Sequence, residues 1–543
     1  MCKCAPPPSW HWLTGSRKKI YFDGYLPPSK LNVRLDRLRT QTKLLNGYHA
    51  TSPIPGRPPP ASPRPASQVL FNNVATYLGL TALPPAPFLV PAILDTLRAS
   101  DTYRTVVEIV PGEADSYCAR YLKQSGGIVI TGDSDLLVHD LSSVGAVCFF
   151  KDIESTQNGT LSSLIYTPTA IAERLALPKS HGLKALAFEI LRDRHGTFAK
   201  LLAQAISLKT VKANEAEYKD FCKGYATPPL ELEVGNPSYN AERSKFVDAL
   251  QHLDPRLSEY ILQISAVDEL AARVVSGSNV PRVFLPFLID CPIRTSAWEM
   301  STSVRQLAYG LVNLILPEPQ QISSVFEHRK QNNNAGAREW KLPKVSEVLE
   351  ACKTLVSHWD GLIRRLPKLA ERDSWIALAV YQEVDWSSSH VKPVLSNLVL
   401  QRVNKTEGKP KVYTWDIVHC LAQLHGSYYS LRMLKQIMGF VISHNLSDHF
   451  LESLSTLHKR LEQVPMIDEC SELSDVLSVM KKIELSGILD VSYGILSIQE
   501  KKSSKPSPES TKKTRKRRKQ NPTARQLSNQ KPPSNPFELL EAE

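Results

Sequence analysis

The chain lacks any apolar run approaching the roughly 20 residues needed to cross a bilayer. Its N-terminus also lacks the charged, apolar and small-residue succession of a signal peptide. Neither a membrane-spanning protein nor a membrane partner is expected. Cysteine is sparse and unpatterned: nine in 543 residues, with only Cys2 and Cys4 close together. That excludes a disulfide framework and a zinc site of paired cysteines, and points to a reduced intracellular compartment. Internal repeats are absent. What is present is the composition of a soluble globular protein, 42% hydrophobic and 22% charged, long enough for two to four domains. The net charge of +12 is uneven: residues 501–543 carry twelve Lys or Arg against four Glu, which leaves about +4 for the preceding 500. Any electrostatic case for nucleic acid therefore rests on local patches.

The most informative stretch runs from Thr105 to Asp140. Thr105–Val110 is mostly β-branched and apolar, the pattern of a strand buried on both faces. Pro111-Gly112 stops it. Glu113 to Gln124 reads as a helix that ends at Ser125-Gly126-Gly127, and Ile128–Thr131 reads as a second short buried strand. Two parallel strands bridged by a helix present their ends on one sheet edge. Glu113 and Asp115 follow the first strand, and Asp133 and Asp135 follow the second. The unit is thus expected to bring four carboxylates to the carboxyl edge of one parallel sheet, where open α/β folds keep their ligand sites.

Each pair also admits a structural account. Glu113 and Asp115 suit the first turn of a helix, and Gly-Asp-Ser-Asp suits a turn whose carboxylates take backbone amides. Four convergent carboxylates with no Lys or Arg between Glu113 and Ala119, or between Gly126 and Val138, repel one another. A cation relieves that repulsion, and hard oxygen ligands suit Mg2+ or Mn2+.

Gly-Glu-Ala-Asp-x-x-Cys-Ala followed by Val-Ile-Thr-Gly-Asp-Ser-Asp-Leu-Leu-Val resembles the internal nuclease segment of the XPG/flap-endonuclease family. The resemblance implies a PIN-like, mostly parallel sheet flanked by helices, with two metal ions that cleave branched DNA. Upstream, Lys18–Phe22 reads as a strand closed by Asp23-Gly24, and the segment resembles the family's Phe-Asp-Gly-x-x-Pro-Pro element. By resemblance Asp23, Glu113 and Asp115 hold one ion, and Asp133 and Asp135 the other. Lys30 and Arg37, on a helix through Leu31–Arg39, correspond to the family's phosphate-contacting lysine and arginine; a solvated helix face accounts for them equally well. Two departures stand out. No acidic residue precedes Asp23, so the family's first segment, with a further metal-binding aspartate, is expected either to be truncated or to lie upstream of an assigned start that is too far downstream. Residues 160–205 hold no Gly-x-Gly hairpin, only an amphipathic helix within 178–193.

The remaining chain divides by composition. Residues 1–16 are irregular. Residues 17–50 and 68–205 form the expected nuclease domain, an α/β fold interrupted by a Pro-rich linker at 51–67. Phe71 to Ala99 reads as helix, proline break and helix, and Ala146–Phe150 as a further strand. Residues 215–500 show three- and four-residue apolar spacing, the mark of a large all-α domain. Its segment Phe284–Trp298 followed by Arg305–Tyr309 resembles the region typical of Asteroid-type members. Residues 501–543 are disordered by composition. Within them, Lys512–Lys519 has seven basic residues in eight and resembles a nuclear import signal for an import receptor.

Two functions compete. One is a structure-specific, metal-dependent DNA endonuclease of the Asteroid type, nuclear and engaged in DNA repair or processing, acting on branched or single-stranded DNA. The other is a nuclease-like scaffold that binds nucleic acid or proteins without cutting.

Overall fold

The computed structural model describes residues 18–24, 26, 30–56, 83–110, 112–155, 161–226, 250–264, 280–330, 337–405, 412–444, 446, 448–470 and 475–498. The irregular N-terminus, most of the Pro-rich linker, the helix expected from Phe71 and the basic tail lie outside them. The fold is mixed α/β, with many helices and small parallel sheets. It divides into two compact units. The first holds the described residues of Met1–Cys118, Glu154–Thr160 and Pro228–Ile498, and the second those of Ala119–Ile153 and Leu161–Thr227. Among the described residues, no helix is long and apolar enough to cross a membrane.

In the first unit, strand β1 (Ile20–Asp23) is followed by helix α1 (Leu31–Thr51), helix α2 (Leu89–Ala99), strand β2 (Val107–Val110) and the start of helix α3 (Ala114–Ser125). β1 and β2 are parallel, from Ile20 opposite Val107 to Asp23 opposite Val110. Ile109 and Val110 are buried, as the apolar run requires. Among the described residues the expected single sheet is seen as separate two-stranded ladders. The other edge of β2 is taken at Ile109. Its N–H donates to Gln251 Oε1 at 2.6 Å, and its carbonyl accepts from Gln251 Nε2 at 2.7 Å. A side-chain amide thus occupies that edge of β2 as a neighbouring strand would.

The rest of the first unit is built around the helix Trp415–Ile442, which is apolar on almost every side and therefore buried along most of its length. Helix Thr302–Leu311 packs on it. α2 is tied to it by the bidentate pair of Arg432 with Asp95, both bonds 2.7 Å, and Phe88 stacks on Tyr429 with centroids 5.0 Å apart. The expected all-α character of 215–500 needs one correction. A three-stranded sheet, Arg282–Phe284, Ser324–His328 and Arg338–Lys341, runs through it, parallel then antiparallel. Strands of three to five residues are too short to impose a period of two on the sequence. The sheet carries a fully buried ion pair. Glu327 accepts from Arg305 Nε at 2.6 Å, Tyr309 Oη at 3.0 Å and Trp340 Nε1 at 2.8 Å, while Arg305 Nη1 also donates to the Trp298 carbonyl and the Ser301 hydroxyl. Every carboxylate oxygen has a donor, the condition under which a buried ion pair is tolerated.

In the second unit, α3 stops at Gly126, whose φ of +65° suits glycine, and whose N–H bonds the Leu122 carbonyl at 2.8 Å. Strands β3 (Gly127–Thr131) and β4 (Gly145–Phe149) pair in parallel, residue for residue. β3 is not buried on both faces as its apolar run suggested. Ile128 and Ile130 are about half exposed, on the alternate positions from Val129 and Thr131. A helix at Leu183–Arg192 buries Phe188 against Val211 and Tyr218, inside the amphipathic segment read from the sequence.

Candidate active site

The β1–β2 register places Asp23 beside Val110, just before the Gly112–Asp115 turn. Gly24 makes that closeness possible. Its N–H donates to the Val110 carbonyl at 2.9 Å, and a Cβ there would lie 2.4 Å from the same oxygen. Any larger residue would push the strands apart. The Asp23 carboxylate accepts the N–H of Ala114 at 2.7 Å, so an aspartate 91 residues upstream satisfies an orphan donor at the start of α3. Asp115 occupies the first turn of the same helix. Burial, then Asp115 and then Asp23, push the Cys118 thiol up to about 12. Cys118 is thus a neutral thiol beside two carboxylates.

Glu113 is half-buried and ion-paired with Lys30, Nζ to Oε1 3.1 Å. Lys30 is the residue from which α1 begins. Arg37 is exposed two turns further on. Between them Arg34 is anchored: its Nη2 donates to Glu259 Oε2 at 2.9 Å, and its guanidinium sits 3.7 Å from the centroid of the Phe284 ring. The structure therefore brings Asp23, Lys30, Glu113 and Asp115 into one neighbourhood and leaves Arg37 on the open face of α1. Of two residues that shape this neighbourhood, Gln251 carries no sequence signal and acts through an amide 142 residues away, whereas Cys118 stands in the Gly-Glu-Ala-Asp-x-x-Cys-Ala motif and is set by burial.

The second acidic turn follows β3. Thr131 Oγ1 accepts the Asp133 N–H at 3.0 Å, and Asp133 Oδ1 accepts the Asp135 N–H at 3.0 Å, opening a short 3-10 turn from Ser134 to Leu137. Asp133 is exposed and Asp135 half-buried. Nearby, Lys123 bonds Asp140 at 2.5 Å and holds that carboxyl below its usual range.

The donor chemistry of these turns, carboxylate oxygens at strand ends, fits a hard divalent cation. Their engagements are structural ones: Asp23 and Asp133 each hold a backbone N–H, and Glu113 holds Lys30. Among the described residues, no three His, Cys, Asp or Glu side chains are gathered so as to hold a metal ion.

The family model described as XPG domain containing matches residues 85–342. The match takes in β2, α3, β3 and both acidic turns, and begins after Asp23, Lys30 and Arg37. No curated protein and no solved structure matches the chain.

Proposed function

We propose that the chain, whose residues 85–342 match the family model described as XPG domain containing, is a flap-endonuclease-like, divalent-metal-dependent DNA endonuclease of the Asteroid type. The XPG-type domain points to nuclease-type function and nucleic-acid binding. The observation that carries the finer reading is the Asp23 carboxylate on the Ala114 N–H, which brings the β1 aspartate to the helix start that bears Asp115. In this reading Asp23, Glu113 and Asp115 hold one Mg2+ or Mn2+ ion, and Asp133 and Asp135 hold another. Such ions lower the pKa of an attacking water and offset charge on a cleaved phosphodiester. The chain's own part is to position and neutralise. Lys30 exchanges Glu113 for a substrate phosphate, which frees that carboxylate. Arg37, seven residues on and about 10.5 Å further along the helix axis, meets the strand on the same face.

The test is cleavage of labelled flap and single-stranded DNA with Mg2+ or Mn2+, by the wild-type chain and by Asp115→Asn. Metal-dependent cutting that Asp115→Asn abolishes supports the reading, and the absence of cutting with either metal overturns it. A second reading, a nuclease-like scaffold for nucleic acid or proteins, draws on the structural engagements of Asp23, Glu113 and Asp133. It expects Asp133→Asn/Asp135→Asn to leave DNA binding intact and to melt no lower than the wild type. The Lys512–Lys519 run serves, in both readings, as the signal for an import receptor and nuclear residence. Replacing its lysines and arginines by glutamine should leave a fluorescent fusion of the chain in the cytoplasm.

A further inference from the structure

Far along the chain from the acidic turns, within the first unit, four cationic side chains line one cavity of about 310 Å3: Arg294, Arg329, Lys330 and Arg338, together with Ser296 and a single carboxylate, Glu299. Three carboxylates serve this group. Glu299 Oε1 takes both Arg329 Nη2 and Arg338 Nη1 at 2.7 Å. Asp290 pairs with Lys330, and Asp416 pairs with Arg294 and also with Arg402. Four lining cations thus meet three carboxylates, one of which, Asp416, is shared with Arg402 outside the lining, so positive charge is in excess around the hollow.

The hydrogen-bonding capacity is incomplete in the same place. Arg329 is only 3% exposed, yet among the described residues its Nη1 has no hydrogen-bond partner. The Ser296 hydroxyl, also buried, has none either. A buried guanidinium nitrogen without an acceptor is costly. Burial lowers the proton affinity of Arg329, and Arg305 and Arg338 add to that against Glu299 and Glu327, so its charge is under-compensated. The two arginines are nevertheless held rigid. Arg338 and Arg329 both lie over the Trp340 ring, 4.0 and 5.7 Å from its centroid, with Glu299 bridging them. Fixed guanidinium forks, a spare buried N–H and a spare hydroxyl form a preorganised receptor for a compact oxyanion.

We propose that this cavity binds a small phosphate monoester, whose negative charge complements the cationic lining. Its volume is that of a mononucleotide-sized ligand pocket. The site does not depend on the nuclease reading, since none of its residues belongs to either acidic turn.

The experiment is calorimetric titration of the full chain with inorganic phosphate, AMP and adenosine at fixed ionic strength. It is repeated on Ser296→Ala and on Arg338→Gln, whose side chain is half exposed and leaves the core intact. Saturable binding of phosphate or AMP but not adenosine is expected, weakened about tenfold or more by Arg338→Gln and less by Ser296→Ala. Equal affinity for phosphate and AMP would make the ligand a free phosphate, and tighter AMP binding a nucleotide; both support the site. No saturable binding of either anion, or binding that both substitutions leave unchanged, would overturn it.

Discussion

The two acidic turns carry the same residue chemistry on the same scaffold, a parallel strand pair, and are built in opposite ways. At the end of β3 the turn is local: Thr131, Asp133 and Asp135 bond one another's backbone within a few residues. At the end of β2 it is assembled from afar. Asp23 reaches the Ala114 N–H from another strand, Lys30 reaches Glu113 from α1, and Gln251 closes the edge of β2. A locally made turn survives changes elsewhere, whereas an assembled one depends on β1 staying in register. The contrast teaches that two similar motifs can differ sharply in what holds them.

Acid should separate the two regions most strongly. Burial lowers His328, with Arg282 and Arg34 adding to it, and lowers His419 through burial chiefly; both come to about 4. The Cys291 N–H donating to His419 Nδ1 at 3.1 Å fixes the neutral ring. Each histidine is neutral in the fold while its unfolded counterpart protonates near 6.5, so its contribution is whole above that pH and is lost as pH falls toward 4. Each contributes on the order of 2–3 kcal/mol, and Glu383, whose burial raises its carboxyl, works in the opposite sense. Both histidines lie in the first unit. In the second, Asp140 loses its share only below its ordinary 3.8, because Lys123 lowers it. Hydrogen exchange across pH 7 to 4 should therefore show amides of Trp415–Ile442 exposed before those of β3 and β4. The reverse order would break the comparison.

Gly24→Ala comes next. The added Cβ meets the Val110 carbonyl at 2.4 Å, and overpacking of this kind costs about 1–3 kcal/mol. Thermal melting should fall accordingly, with exchange protection lost at β1 and β2 and unchanged at β3. Asp23→Ala should cost about 1 kcal/mol as a lost helix cap. Asp133→Ala, at an exposed turn, should cost less in the same denaturant titration; equal losses would mean the two turns are held alike. The smallest effect belongs to Lys30→Met. The partners are 45% and 22% exposed, so stability should change by less than about 1 kcal/mol. On the metal-binding reading proposed above, Lys30→Met should also let Mg2+ raise the melting temperature at lower concentration, as Glu113 is released.

The helices were legible because apolar spacing reports a face: Trp415–Ile442 falls inside the stretch of helical spacing at 215–500, and Leu183–Arg192 inside the amphipathic segment at 178–193. The strands at Ile20, Val107, Gly127 and Gly145 were legible to within two residues. Their partners were not. Nothing in Thr105–Val110 says that Ile20–Asp23 will pair with it, or that Gln251 will close its other edge. Arg34 and Arg37 lie three residues apart on one helix. Only the positions of Glu259 and Phe284 decide that the first is anchored and the second exposed. The cationic cavity was invisible for a related reason. Arg294, the Arg329-Lys330 pair and Arg338 come from separate segments and read in sequence as scattered surface charge.

The buried pair of Arg305 and Glu327 bears on descent as well as on folding. Losing either partner alone strands the other charge in the core, at a cost of about 3–5 kcal/mol, while an apolar pair of similar volume would be tolerated. Change one at a time is therefore barred in both directions. A lineage carrying this chain must keep both residues, or pass through a crippled intermediate to lose both, with Tyr309 and Trp340 left to find new acceptors. Positions 305 and 327 thus act as one energetic unit, each dispensable only together with the other.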